Sequence, residues 1–334
     1  MAGNSEPSKV SEGKKETNPA IILQCGAYYV VVFQEREEKL LHTLKNAAKT
    51  GYEKMISGGT AVDAVEEAVR ILEDDQYFNA GRGSLVNVEG DVECDAMIMD
   101  GNTMNIGAVM AAKHFFNPVK ICRKIMEESH HCAFIGEGAL RFAQDKGFKD
   151  LICDPAEIIV NEIKEKMMTM DISGFASRYF PPGTSSPEQS LPFDTVSAVA
   201  MDSDGHFACA TSTGGVLRKS KGRIGDAPLA GCGAYANEFG AAASSGNGES
   251  IMKMNLAREV VFNMEQGQNA SLSAKNAVER MKNRLSSWCS MIAIDKDGNF
   301  GVETNAAGML WATCKGSDLE FGSKRKEFVK FKKL

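Results

Sequence analysis

Two periods organise the apolar positions of this chain, one near two residues and one near 3.6. The run AIILQC (20–25) is continuous, apolar and short, the signature of a buried strand. Residues 35–57 are charged and helical in period. Gly58-Gly59 stops that helix, and Thr60 with Asp63 forms a capping-box start for the next. Within it Val62, Val65, Val69 and Leu72 recur at helical spacing and mark a core face. Strand patterns follow at 91–100 (DVECDAMIMD) and 104–112 (MNIGAVMAA), then helical patterns at 118–128 and 137–146.

From about 154 to 194 the texture changes. EIIVNEIKEKMMTMD is a helix candidate, whereas DISGFASRYFPPGTSSPEQSLPF carries Pro-Pro-Gly and no period, so 151–194 reads as a flexible linker. Order returns at Thr195 with a strand to Met201, a turn at Asp202–Gly205 and a strand through HFACATST, a hairpin pattern. Short strands near 231–236 and 239–244 precede helices at 249–266 and 271–285. A second hairpin, CSMIAID-KDGN-FGVET, leads to a strand at GMLWAT that ends the predicted fold. The pattern predicts a layered α/β/β/α domain. It is divided into a disordered tail (1–18), two halves (19–194 and 195–320) and a basic tail (321–334).

Composition narrows the function classes. The 334 residues are 43% apolar and 25% charged with a net charge of −6, which supplies no electrostatic footprint for nucleic acid. No apolar run reaches the length of a membrane span. The polar first 18 residues lack a signal-peptide core, so a cytoplasmic setting is expected. Nine cysteines without a C-x-x-C read as reduced, buried thiols. The sequon at Asn269 carries little without a secretory signal, and the basic C-terminus reads as a solvated tail.

LPFDTVSAVA (191–200) holds the first chemical question. Thr195 opens a strand, as β-branched residues commonly do. A threonine hydroxyl also becomes a nucleophile when its own free α-amine serves as base, which requires cleavage after Asp194. Downstream, TSTGGVLRKSKGRIGD (211–226) and SSGNGE (244–249) place hydroxyls beside glycines and an Arg three residues before an Asp. Taken alone, Arg223 and Asp226 fit a surface pair on a turn, and the glycines fit tight turns.

Together the motifs resemble the plant-type asparaginase family of N-terminal nucleophile hydrolases. That family includes isoaspartyl peptidases, glycosylasparaginases and threonine aspartases. The resemblance covers residues 19–320 through FNAGRGSLVN with EGDVECDAMIMDG, NPVK, DTVSAVA, ATSTGG, GRIGDAP, GNGES and TNAAGM. It implies a four-layer αββα sandwich and self-cleavage between Asp194 and Thr195, with Thr195 the nucleophile. By the same resemblance Thr213 bonds the nucleophile, Arg223 holds the substrate α-carboxylate and Asp226 its α-ammonium. Ser245 and Gly246 form the oxyanion pair, and Asn79 is the active-site asparagine. A structural sodium loop would use backbone carbonyls of Leu72, Glu73, Asp75, Phe78, Ala80 and Arg82; no catalytic cofactor is expected. The expected partner is a small molecule or dipeptide, with no nucleic acid or membrane, and the αβ units are expected to pair as a homodimer.

The resemblance is imperfect at two places near the cut. Where the family has a His-Gly-Gly-Ala-Gly-like run, this chain has Gln24-Cys25-Gly26-Ala27-Tyr28, and Ser197 replaces the glycine of T-V-G. Ser245 stands where most asparaginases carry Thr and keeps the hydroxyl. The expected activity is hydrolysis of β-aspartyl peptides and asparagine. The alternative is a pseudoenzyme of the same fold, poorly cleaved and acting as a binding or scaffold protein.

Overall fold

The computed structural model describes residues 17–26, 37–171, 194–306 and 308–325. Tyr28, most of the 1–18 tail, residues 172–193 of the linker and residues 326–334 lie outside them. The elements are β1 (Ala20–Cys25), α1 (Glu37–Ile56), α2 (Ala61–Asp74), β2 (Cys94–Asp100), β3 (Ile106–Ala112), α3 (Pro118–Glu128), β4 (Ala133–Ile135) and α4 (Glu137–Asp145). They continue with α5 (Pro155–Ile158), α6 (Asn161–Thr169), β5 (Val196–Met201), β6 (Phe207–Thr213), β7 (Ala234–Asn237) and β8 (Gly240–Gly246). The last are α7 (Gly248–Met254), α8 (Leu256–Glu265), α9 (Ala270–Leu285), β9 (Cys289–Asp295), β10 (Phe300–Thr304), β11 (Gly308–Lys315) and β12 (Asp318–Arg325).

Eight strands form one sheet in the order β12-β11-β1-β5-β6-β2-β3-β4, and four form another in the order β10-β9-β8-β7. β1 sits between β11 and β5, antiparallel to both, and all six of its residues are buried. A strand covered on both faces has no use for polar alternation, which is why AIILQC is continuous. Side chains of β1 at 21, 23 and 25 meet α1 and α2 through Leu40, Leu44, Val65 and Val69. Those at 20 and 22 meet Ala241, Ala243, Ile292 and Ile294 of the second sheet. The far face of that sheet packs on α8 and α9 through Val260, Val261, Ala274 and Met281. The capping box of α2 forms as its sequence predicts, Thr60 accepting from the Asp63 backbone and Asp63 from that of Thr60.

Three boundaries differ from expectation. The predicted helix 249–266 breaks into α7 and α8 at Asn255, which adopts a left-handed conformation tolerated best by Gly and Asn. The predicted linker contains α6, inside the helix candidate 157–171, and before it an unpredicted short helix, α5; their Ile163 and Ile158 are buried. The chain also continues past GMLWAT, because 318–325 returns as β12 along β11. Residues 321–325 therefore belong to a sheet edge rather than a tail, with the Lys45 ammonium 4.2 Å from the Phe321 ring centroid. A basic run hides this strand, since an edge strand tolerates charge that a central one would not.

Candidate active site

Strand alternation builds the site. In the layer between the sheets, β1 presents Ile22, β5 presents Val199 and Met201, β6 presents Phe207 and Cys209, and β8 presents Ala241 and Ala243. Two residues further along each strand the same face turns polar: Gln24, Ser197, Thr211 and Ser245, all fully buried. Thr195 and Thr213 extend that polar end, at 6% and 4% exposure. Polar side chains gathered at one end of an apolar layer must satisfy one another or a ligand.

The peptide joining Asp194 to Thr195 is held on every side. Its carbonyl oxygen accepts from Asn79 Nδ2 at 2.9 Å and from Thr213 Oγ1 at 2.8 Å. Its N–H donates to Ser245 Oγ at 3.2 Å. The next carbonyl, Thr195 O, accepts from Gly26 N at 3.3 Å. Asn79 is itself fixed, donating to Gly215 O at 2.7 Å and accepting from Leu85 N at 2.8 Å. Thr213 Oγ1 accepts from Gly215 N at 3.0 Å, which aims its proton at the Asp194 carbonyl. Thr213 thus bonds the carbonyl of Asp194, where a bond to Thr195 itself was expected.

Gly26 explains why one glycine of the altered run persists. A Cβ there would stand 1.7 Å from Asp194 Oδ1 and 2.4 Å from Asp194 Cβ. Gln24 and Ser197, two of the departures, face each other across β1 and β5. Gln24 Nε2 donates to Ser197 Oγ and to Ala243 O, each at 3.1 Å. Cys25 points the other way, and burial, with the charges of Asp194 and Asp75 adding to it, raises its thiol pKa well above the usual value.

Arg223 and Asp226 converge over the start of α7. A Cβ on Gly248 would meet Arg223 Nη2 at 2.8 Å and Asp226 Oδ1 at 2.9 Å, so this glycine keeps both heads within one short span. The side edge of the Arg223 guanidinium is occupied: Nε and Nη2 reach the Glu249 carboxylate at 2.9 and 3.0 Å. Burial raises the Asp226 carboxyl to about 6, opposed by Arg223 and by a hydrogen bond from Ser244 Oγ. Beneath this loop, the buried Lys219 ammonium donates to Glu93 O at 2.7 Å and lies 4.0 Å from Asp95. Asp95 pairs in register with Thr213 and accepts from Ala111 N. Gly246 carries no side chain because its backbone runs against β9, where a Cβ would be 2.7 Å from Cys289 Cα and Trp288 O.

Residues 75–80 link the end of α2 to a tight turn at Gly81–Gly83. Asp75 O accepts from Phe78 N and Ala80 O from Gly83 N. Glu73 O would be 2.5 Å from a Cβ on Gly81, and Phe78 O 1.9 Å from one on Gly83. The Arg82 guanidinium lies 5.8 Å from the Phe116 ring centroid, and Leu72 is fully buried. The Glu73 carboxyl is pushed up to about 8 by burial, and its Oε1 accepts from Val119 N at the start of α3. Among the described residues no group of three or more His, Cys, Asp or Glu is placed to hold a metal ion.

The structure therefore brings Asn79, Asp194, Thr195, Thr213, Ser245 and Gly246 to one place, with Arg223 and Asp226 beside them. Sequence reading missed Gly248, Glu249, Ser244, Asp95 and Lys219. All five lie inside stretches already singled out: Asp95 in EGDVECDAMIMDG, Lys219 in TSTGGVLRKSKGRIGD, and Ser244, Gly248 and Glu249 in SSGNGE.

Comparison with known proteins agrees with this geometry. The family model described as "Asparaginase" matches residues 17–322. An isoaspartyl peptidase/L-asparaginase of Danio rerio is 38% identical over 305 residues, covering 91% of this chain and 94% of the relative. One of Rattus norvegicus is 42% identical over 289 residues, with 86% and 84% covered. A plant-type L-asparaginase of Pyrococcus abyssi is 37% identical over 300 residues, with 89% and 96% covered. With its polar cluster laid out around a threonine at a strand start, and with relatives matched over almost their full length, this chain belongs to the asparaginase family.

Proposed function

We propose that the protein is a self-cleaving threonine hydrolase that releases L-aspartate from β-aspartyl (isoaspartyl) peptides and from L-asparagine. The observation that carries this reading is the Asp194 carbonyl, gripped by Asn79 Nδ2 and Thr213 Oγ1 next to Thr195. When the Thr195 hydroxyl adds to that carbonyl carbon, negative charge develops on the oxygen both donors already face. The C–N bond then breaks, the nitrogen takes up the proton lost by the hydroxyl, and an ester joins Asp194 to Thr195. Water hydrolyses the ester, leaving an α-chain ending at Asp194 and a β-chain beginning with the free α-amine of Thr195.

That amine is the base the hydroxyl needs. Arg223 and Asp226 would bind the α-carboxylate and α-ammonium of the substrate, presenting its side-chain carbonyl to Thr195. Ser245 Oγ and Gly246 N–H would stabilise the second oxyanion. Attack expels the amine or ammonia, and water releases aspartate from the acyl-enzyme. Free α-groups at the clamp favour small amino acids and dipeptides over protein chains. The hydrogen bond from Gln24 to Ser197 accommodates two of the departures near the cut, and no observation favours the pseudoenzyme alternative.

Three finer features belong to the same reading. The three apolar interiors fit a four-layer αββα sandwich of the N-terminal nucleophile type. A structural sodium ion would be held at the end of α2 and the segment after it by backbone carbonyls of Leu72, Glu73, Asp75, Phe78, Ala80 and Arg82; hard cations take oxygen ligands. The αβ units would pair as a homodimer. Nine free cysteines suit a reducing, cytoplasmic setting, and no described helix is long and apolar enough to cross a membrane.

The test is direct. Purified protein should separate on a denaturing gel into two bands, the smaller one starting Thr-Val-Ser-Ala, and should release aspartate from a β-aspartyl dipeptide. Thr195→Ala should abolish both. A persistent single chain of 36.1 kDa without aspartate release overturns the reading.

A further inference from the structure

Gln24 occupies an uncommon position for an amide. It is fully buried on a central strand, between β11 and β5, and faces the layer between the two sheets. Both protons of its Nε2 are engaged, one by Ser197 Oγ and one by Ala243 O, each at 3.1 Å. The orientation of the amide is set by Ala243 O: reversal would press Oε1 against a carbonyl that has no proton to offer. Gln24 Oε1 is buried and has no hydrogen-bond partner among the described residues. An amide that leaves its own oxygen unsatisfied is a poor choice for stability alone.

The two acceptors lie at equivalent places in the site. Ser197 is two residues after Thr195 on β5, and Ala243 is two residues before Ser245 on β8. Because side chains repeat every second residue along a strand, Ser197 shares a face with Thr195 and Ala243 with Ser245, so Gln24 bonds one residue beside each, through the Ser197 hydroxyl and the Ala243 backbone carbonyl. β5 and β8 belong to different sheets, which share no backbone hydrogen bonds. The Thr195 nitrogen nonetheless lies 3.2 Å from Ser245 Oγ across that gap. One side chain bonded to both strands, one step behind that contact, limits how far the sheets can slide.

From this we infer that Gln24 is a positioning residue that sets the Thr195–Ser245 geometry by tying β5 to β8, with Ser197 as its partner on the nucleophile strand. The pair replaces, with one compensating hydrogen bond, what a lone substitution at either position would have disturbed. Gln24→Met conserves length and volume but removes both donated bonds. Ser197→Ala removes one of them and leaves the bond to Ala243.

The inference rests on the self-cleaving hydrolase reading, and the experiment separates the two. Wild type, Gln24→Met, Ser197→Ala and the double variant are compared for rate of self-cleavage. The kcat and KM for a β-aspartyl dipeptide are then measured on the cleaved fraction, with circular dichroism to confirm folding. The tie predicts at least tenfold slower cleavage and a lower kcat at unchanged KM in Gln24→Met. It also predicts a smaller loss in Ser197→Ala, and a double variant no worse than Gln24→Met alone, the signature of coupled residues. A folded Gln24→Met that cleaves and turns over like wild type, with only a lower melting temperature, overturns the tie alone. Additive losses in the double variant overturn the partnership with Ser197. A wild type that neither cleaves nor releases aspartate overturns the functional reading, and the tie falls with it.

Discussion

Glu249 holds the side edge of Arg223, with Oε1 2.9 Å from Nε and Oε2 3.0 Å from Nη2. A guanidinium has a second bidentate edge, Nη1 with Nη2, and fixing the first aims the second. Nη2 approaches Gly248 from the same region as Asp226 Oδ1, which suits a head group carrying both a carboxylate and an ammonium. Glu249→Gln should therefore weaken substrate binding without touching the chemical step. Glu249 is half exposed, so the pair is worth about 0.2–1 kcal/mol, or a rise in KM of up to about fivefold. Steady-state kinetics on a β-aspartyl dipeptide should show that rise at constant kcat, with self-cleavage unaffected. A fall in KM would mean that Glu249 competes with the substrate instead of orienting its clamp.

Self-cleavage should depend on the two donors to the Asp194 carbonyl. Thr213→Val keeps the shape of the side chain and deletes one donor, whereas Thr213→Ser retains it. Loss of a single oxyanion donor slows comparable reactions by about 10²–10³. Incubating freshly purified precursor and following band intensities should give a loss of that order for Val and near-normal cleavage for Ser. Equal rates for both variants would remove Thr213 from the cleavage step.

Gly26 is required by one contact, and that contact can be relieved from the other side. Gly26→Ala places a methyl 1.7 Å from Asp194 Oδ1, so the Asp194 side chain and the adjoining carbonyl must move. The single variant should stay uncleaved while remaining folded. Gly26→Ala with Asp194→Gly removes the clashing side chain and should recover cleavage. Failure of the double variant to recover would show that the Asp194 contact is not what requires glycine at position 26.

Much of this arrangement could be read before any coordinates. The continuous apolar run AIILQC predicted a buried strand, CSMIAID-KDGN-FGVET predicted a hairpin, and Thr60 with Asp63 predicted the start of α2. The cluster around Thr195 was implied by the resemblance of its motifs to the asparaginases; taken alone, those hydroxyls and glycines fitted ordinary turns. What could not be read was any relationship carried by register. Gln24 and Ser197 are 173 residues apart, and each in isolation departs from a familiar motif; only β1 beside β5 makes them one feature. Glu249 lay within a recognised motif, but nothing along the chain places its carboxylate on Arg223. The strand β12 was missed because charge at a sheet edge resembles charge in a solvated tail.

Asp226 should give the enzyme an acid limb in substrate binding, and should cost the fold stability. Burial raises its carboxyl from the usual 3.8 to about 6, while Arg223 and Ser244 pull the other way. Only the carboxylate attracts a substrate ammonium, so kcat/KM should fall about tenfold per unit as pH drops below about 6. For stability the sign is opposite. A folded-state pKa above the unfolded value favours the fold when the group is protonated, and that advantage is lost as pH rises through about 6. At pH 7 the buried charge thus costs on the order of 3 kcal/mol, from a shift of about two units at 1.36 kcal/mol each. Asp226→Asn should raise the melting temperature at pH 7 more than at pH 4, abolish the acid limb and raise KM sharply. Thermal melts at the two pH values, paired with a pH profile of kcat/KM, check all three. An acid limb that survives in Asp226→Asn would assign it to another group.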